Sequence, residues 1–247
     1  MAKTDTSERW FEARVVRSLT GVPQPEYSHE LAPTDFAATH NGYVQGKPTD
    51  YNRDVALDVT QLLAFLQSTQ PKAVDTLELA ADGIKRTQFL HRLQGEITKR
   101  GVVDVLRKGV SHGPVHVDLY KLLPTPGNAA AADAFGKNIF SVTRQVRYSN
   151  ESGNELDLAI FINGLPVLTF ELKNSLTKQT LADAIVQYQT TCSPQELLFQ
   201  LGRCVAHIAV DDVEAAFCTE LRARPRGSCH LTRAGTAALA THPIRMV

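Results

Sequence analysis

No apolar run in the sequence approaches the ~18 to 20 residues that a bilayer-spanning helix needs. The first residues, with Asp5, Glu8 and Glu12, lack the basic-then-apolar order of a secretory leader. Cysteine is scarce. Cys192, Cys204, Cys218 and Cys229 are too widely spaced for the paired ligands of a zinc ribbon and suggest no disulfide framework. A cytoplasmic location with no membrane partner is the expectation. Net charge is zero, so no overall field draws the chain to nucleic acid, and any such contact must use a local patch. A phosphate-cradling loop is also missing: Phe135-Gly136-Lys137-Asn138 has neither the glycine-rich lead nor the hydroxyl after lysine. What is present is ordinary globular material, 43% hydrophobic and 21% charged, which excludes wholesale disorder.

The rhythm of apolar residues changes midway. Phe11, Val15 and Leu19 recur at helical spacing, with Asp5 and Glu8 placed as a cap. Residues 20–53 have no period and read as an irregular connection. Val55, Val59, Leu62, Leu63 and Leu66 mark one helix face, with Pro71 beyond its end. Phe89, Leu90, Leu93 and Ile97 mark another, stopped by Gly101. From Val115 onward the period shortens to two. Val115, Val117 and Leu119 alternate, as do Phe140, Val142 and Val146; residues 156–162 and 167–172 flank Asn163-Gly164, a strong hairpin signal. Leu181, Ala184, Ile185 and Tyr188 return to helical spacing. Residues 204–210 read as a strand covered on both faces. The fold class is α/β or α+β: a helical N-terminal part over 1–110 and a sheet-bearing core over 111–221.

The hairpin carries the chemistry. Asp157 interrupts an apolar strand, and Glu171 and Lys173 share one face of its partner. A simple two-residue turn at Asn163-Gly164 would set Asp157 opposite Phe170. An odd loop or a β-bulge shifts the register by one and sets Asp157 opposite Glu171, so such an irregularity is expected. Two carboxylates and a lysine at a strand edge suit phosphodiester hydrolysis: Asp157 and Glu171 as ligands of Mg²⁺, Lys173 orienting water or stabilising the transition state. The plainer alternative is a surface ion-pair cluster.

The stretch from Asn138 to Gln189, which contains ELDLAIFINGLPVLTFELKN, closely resembles the N-terminal nuclease domain of type I restriction endonuclease R subunits. The resemblance extends through Asn52-RDVALD, Thr69-QPK, Gly101-VVDVLRKGV and Glu196-LLFQLGRCVAHIAVDD. It implies a PD-(D/E)XK restriction-endonuclease-like core, a mixed sheet flanked by helices, with Asp157, Glu171 and Lys173 as catalytic residues and Mg²⁺ as cofactor. Related nucleases can bring a first-helix glutamate to the metal, which makes Glu8 or Glu12 a further candidate beside the reading as surface charge. Some members carry Gln-x-x-x-Tyr on the helix after the active strand. Here Ala184 stands at that distance before Tyr188, and Gln187 and Gln189 are differently aimed. Tyr188 and Gln187 are candidates for contacting DNA, with packing as the alternative for Tyr188.

Double-stranded DNA is the implied substrate. Methylation and specificity subunits are the implied partners of an intact subunit, and ATP belongs to motor domains whose motifs are missing here. The expected function is therefore a Mg²⁺-dependent endonuclease domain truncated before its motor. The rivals are another PD-(D/E)XK repair nuclease and a silent DNA- or partner-binding remnant. The basic residues of 85–108, Arg107 and Lys108 among them, suit either phosphate contact or a solvated helix face. His112 and His116 lack further ligands and read as structural.

The last stretch breaks the pattern. No acid follows Glu220, while Arg222, Arg224, Arg226, Arg233 and Arg245 accumulate. The family resembled continues with a segment like F-L-P-F-N-x-G. If each codon begins one base early, permitted codons for Ser228 to Thr232 can spell Phe-Leu-Pro-Phe-Asn. Residues 222–247 are thus expected to be an out-of-frame, poorly ordered tail. The gene sequence decides it: codons that cannot encode the family segment in the shifted frame return the tail to a basic DNA-contacting role.

Overall fold

The alternating stretch from 140 to 172 folds, in the computed structural model of the chain, into three adjacent antiparallel strands: β6 (Phe140–Arg147), β7 (Glu155–Ile162) and β8 (Leu165–Leu172). The structure describes residues 6–24, 42–174, 179–221 and 232–234, with 6–8 and 232–234 as backbone. Before these strands come α1 (Thr6–Thr20), β1 (Tyr43–Gln45), β2 (Tyr51–Asn52), β3 (Leu57–Asp58), α2 (Val59–Thr69), α3 (Pro71–Thr76), α4 (Ile84–Arg100), α5 (Val102–Lys108), β4 (Val110–His112), β5 (Val115–Val117) and α6 (Ala129–Gly136). After them come α7 (Leu181–Thr190), β9 (Ala206–Val210), β10 (Ala215–Cys218) and β11 (Thr232–Ala234).

One sheet organises the chain, in the order β1-β6-β7-β8-β9-β10-β11. The β1–β6 and β8–β9 pairs are parallel and the other pairs are antiparallel, so the sheet is mixed. The parallel β8–β9 step needs a crossover, and α7 supplies it. The order strand, strand, strand, helix, strand agrees with the expectation. Among the described residues, the part before residue 110 holds five α-helices but also three short strands, one of them in the main sheet.

Two apolar cores flank the sheet. The first gathers Val16, Leu62, Phe65, Phe89, Leu93 and Ile97 of the helices against Val142, Leu158 and Ile160. The second gathers Leu181, Ala184 and Tyr188 of α7 with Phe199 against Ala159, Phe161 and Ala209. Pro71 does more than end α2: it opens α3, where its missing N–H costs nothing. β9 is not covered on both faces. His207 and Ala209 are buried, whereas Ala206, Ile208 and Val210 are half-buried, because continuous hydrophobicity reports mean burial and not its symmetry. The proposed Asp5 cap lies outside the described residues, as do 222–231 and 235–247 of the tail. The segment 232–234 pairs with β10.

The hairpin turn is held by its own side chains. Asn163, with φ 51°, accepts from the Ile139 amide at 2.6 Å and donates to Leu119 O at 2.9 Å and Asn138 Oδ1 at 3.0 Å. Gly164 follows at φ +82°, and a Cβ there would meet Asp58 O at 2.3 Å and the Leu62 amide nitrogen at 2.7 Å. Only glycine allows β3 and the start of α2 to rest on the turn. Asn163→Ala leaves the half-buried Ile139 amide and the buried Leu119 carbonyl without this partner. It is expected to cost about 2 kcal/mol in urea unfolding, and an unchanged midpoint would refute that role.

Candidate active site

The turn has two residues, and Ile162 pairs with Leu165. One step later the register shifts: Phe161 pairs with Pro166 and Ile160 with Leu168, which leaves Val167 as the extra residue of a bulge. From there Ala159 faces Thr169 and Leu158 faces Phe170, so the next positions in register are Asp157 and Glu171. The irregularity expected from the sequence is therefore present, as a bulge and not as a longer loop.

Asp157 also sits at a break in its own strand. Residues two apart on a strand normally share a face, yet Leu158 belongs to the first core and Leu156 to the second. Across on β6, Arg144 pairs with Leu158 and Val146 with Leu156; Gln145 lies between them with a left-handed φ of 51°. Such backbone in a non-glycine residue is costly and gathers at functional sites. Half-buried Asp157 turns its Oδ2 to accept from the Leu172 amide at 2.6 Å, just past Glu171.

Glu171 is fully buried and Lys173 is 7% exposed. Around Glu171 stand protic groups of α7 and the loop after it. The Cys192 thiol lies 3.9 Å from Glu171 Oε1 and 3.8 Å from the Tyr148 hydroxyl, which donates to Thr191 O at 3.0 Å. Burial, and then the charge of Glu171, pushes up both the Cys192 thiol and the Tyr188 phenol; Asp157 adds to both in the same sense. The two carboxylates thus act on the same two neighbours. Lys173 helps to hold down the Asp183 carboxyl, whose chief influence is its hydrogen bond from the Thr180 amide. The main chain of Lys173 is pinned by a 2.8 Å bond from its amide to Val210 O.

The other sequence candidates are dispersed. Glu12 of α1 is 2% exposed and pairs with Arg144 Nε at 3.0 Å, on the strand next to that of Asp157. The side chain of Glu8 lies outside the described residues. Tyr188 is 1% exposed and bonded to Thr169, which is the packing alternative; Gln187 is half-buried. Arg107 and Lys108 are exposed on α5, and Lys108 pairs with Asp104 at 2.6 Å. In the same basic stretch Lys85, Arg86, Arg92 and Arg100 also make ion pairs with acids of their own or neighbouring segments, as a solvated helix face does. His112 packs edge-on against Phe89, and His116 lies near Ser111 and Asp118.

Sequence reasoning passed over three buried polar residues. His207 and Thr169 bond to each other inside the second core. Arg203, 1% exposed, donates to the carbonyls of Val55 and Ala56, and burial lowers its pKa to about 10. A lone polar residue in an apolar run was the available signal for His207. Arg203 gave none, since its partners are more than a hundred residues away in sequence.

The fold and these residues define an α/β protein with a half-buried Asp157 at a strand break on β7 and a buried Glu171, two residues before Lys173, on the neighbouring strand β8. The model of the type I restriction enzyme R protein N terminus matches residues 44–226, and the chain belongs to that family. A search of curated proteins gave no match. The matched span contains Asp157, Glu171 and Lys173 and ends close to where the acids of the sequence stop. Among the described residues no helix is long and apolar enough to cross a membrane.

Proposed function

We propose that the chain is the Mg²⁺-dependent DNA endonuclease domain of a type I restriction R subunit, built on a PD-(D/E)XK core. The observation that supports this reading is the bulge at Val167, beyond which Leu158 pairs with Phe170, so that Asp157 and Glu171 are the next residues along the two strands and Lys173 follows two further on. The bulge costs ladder regularity between two otherwise well-paired strands, and such features re-aim side chains at active sites.

The donor set fits a hard divalent cation. Asp157 and Glu171 offer carboxylate oxygens, the ligand type that such a cation prefers; they are a pair, and among the described residues no group of three or more His, Cys, Asp or Glu gathers to hold a metal. Asp157 and Glu171 would hold Mg²⁺ there, and the ion would supply activation of the attacking water and charge neutralisation at the phosphate. Asp157 is oriented by the Leu172 amide, and burial of Glu171 strengthens its electrostatic interactions. The Lys173 ammonium, a donor and not a ligand, stabilises charge developing on the phosphate oxygens as water attacks and the leaving oxygen departs. Glu12 is left out of this ligand set because Arg144 already supplies its cation.

Double-stranded DNA is the substrate of this reading, and the methylation and specificity subunits are the partners in the assembled complex. ATP-driven translocation belongs to other domains of R subunits and forms no part of it. The test is incubation of the chain with supercoiled plasmid in Mg²⁺, in EDTA, and in Mg²⁺ with Asp157→Ala. Nicking or linearisation that EDTA and Asp157→Ala both abolish supports the reading. Uncut plasmid, or equal cutting by wild type and variant, overturns it in favour of a binding role.

A further inference from the structure

Thr169 and Glu171 are two residues apart on β8, and β8 runs parallel to β9 with Thr169 in register with His207. Thr169 Oγ1 lies 2.9 Å from the Tyr188 hydroxyl and 2.7 Å from His207 Nδ1. None of the three residues is more than 1% exposed. The bonds thus tie α7, β8 and β9 together directly behind the candidate site.

The chemistry of the three groups sets the direction of the protons. A phenol is a stronger donor than an aliphatic hydroxyl, and an imidazole nitrogen is a stronger acceptor than either oxygen. Burial lowers the His207 pKa to about 4, so the ring is neutral and can accept at Nδ1 with its proton on Nε2. The favourable order is therefore Tyr188 O–H to Thr169 Oγ1, and Thr169 O–H to His207 Nδ1.

That order matters because Thr169 and Glu171 lie two residues apart on one face of β8, and the Tyr188 hydroxyl, bonded to Thr169, stands on that same face. After burial, the charge of Glu171 is the largest influence raising the phenol. A Tyr188 proton turned toward Glu171 would compete with a cation for the carboxylate lone pairs. We propose that Thr169 and His207 are positioning residues of the candidate site, forming a one-way hydrogen-bond chain that draws the Tyr188 proton away from Glu171 and keeps that carboxylate available to a divalent cation. This rests on the nuclease reading for the presence of the cation, but the direction of the chain is a separate property of the folded protein.

Two measurements separate the claims. Calorimetric titration with Mn²⁺ compares wild type, Thr169→Val, Thr169→Ser, and Thr169→Val combined with Tyr188→Phe, each with its melting temperature recorded. Thr169→Val keeps the shape and frees the phenol proton, so Mn²⁺ affinity should fall about tenfold. Serine should restore it, and so should the double variant, because Tyr188→Phe removes the competing proton. Loss in the double variant equal to that in Thr169→Val, or no loss in either, overturns the proposal, since a packing role predicts no recovery. The ¹⁵N shifts of His207 in the wild-type chain report the tautomer without any metal. A protonated Nδ1 overturns the chain whatever the titration shows. A bare Nδ1 in a protein that binds no Mn²⁺ upholds the chain and overturns the metal site itself.

Discussion

Lys173→Ala is expected to reduce plasmid cleavage by about 10³-fold while leaving Mn²⁺ affinity within about twofold of wild type. Removing one preorganised donor from a developing oxyanion typically costs a factor of ~10² to 10³, and Lys173 sits where little water can replace it, at 7% exposure. The ammonium is not a ligand for a hard cation, so metal binding should survive its loss. Asp157→Ala should behave differently, losing cleavage and metal affinity together. The two variants therefore distinguish a donor from a ligand at the same site. Quenched-flow or gel assays of supercoil loss at saturating Mg²⁺ read the first quantity, and calorimetry reads the second. If Lys173→Ala binds Mn²⁺ as weakly as Asp157→Ala, the lysine holds the site together and is not a transition-state donor.

The division of labour within this site explains what the sequence disclosed. Alternation along a strand placed Glu171 and Lys173 on one face, and the hairpin signal showed that simple pairing would misalign Asp157. The need for an irregularity was therefore legible. Its form was not, because a bulge and a longer loop satisfy the same parity, and only packing of Asp58 and Leu62 against Gly164 favours the tight turn with a bulge at Val167. The break at Asp157 was also invisible. It depends on the left-handed backbone of Gln145 on another strand, a residue with no special local signature. Likewise the wall around Glu171 combines Tyr148, which follows β6, with Tyr188 and Cys192, which the crossover through α7 brings to β8. The chain pattern reveals which groups share a strand; it does not reveal which distant protons surround them.

Acidification provides the other large effect. An ordinary histidine in an unfolded chain titrates near 6.5, whereas burial holds His207 at about 4. Between those values the unfolded chain carries a proton at this residue that the folded protein refuses, so stability must rise with pH through the window. The contribution is fully present above about pH 6.5 and is lost as pH falls toward 4. A difference of about 2.5 pH units corresponds to about 3 kcal/mol at this one residue. No discount for solvent screening applies, since His207 is 1% exposed and packs against the rings of Tyr188 and Phe199. Urea unfolding of wild type and His207→Gln at intervals from pH 7.5 to 4.5 isolates this contribution, because the carboxylates titrate alike in both. The variant should be less stable at neutral pH, where it loses the Thr169 bond, and its curve should fall less steeply on acidification. The gap should close by about 2 to 3 kcal/mol over the window. Parallel curves would mean that His207 takes up its proton in the folded state without penalty. The neutral ring on which the Tyr188–Thr169 chain depends would then have no energetic basis.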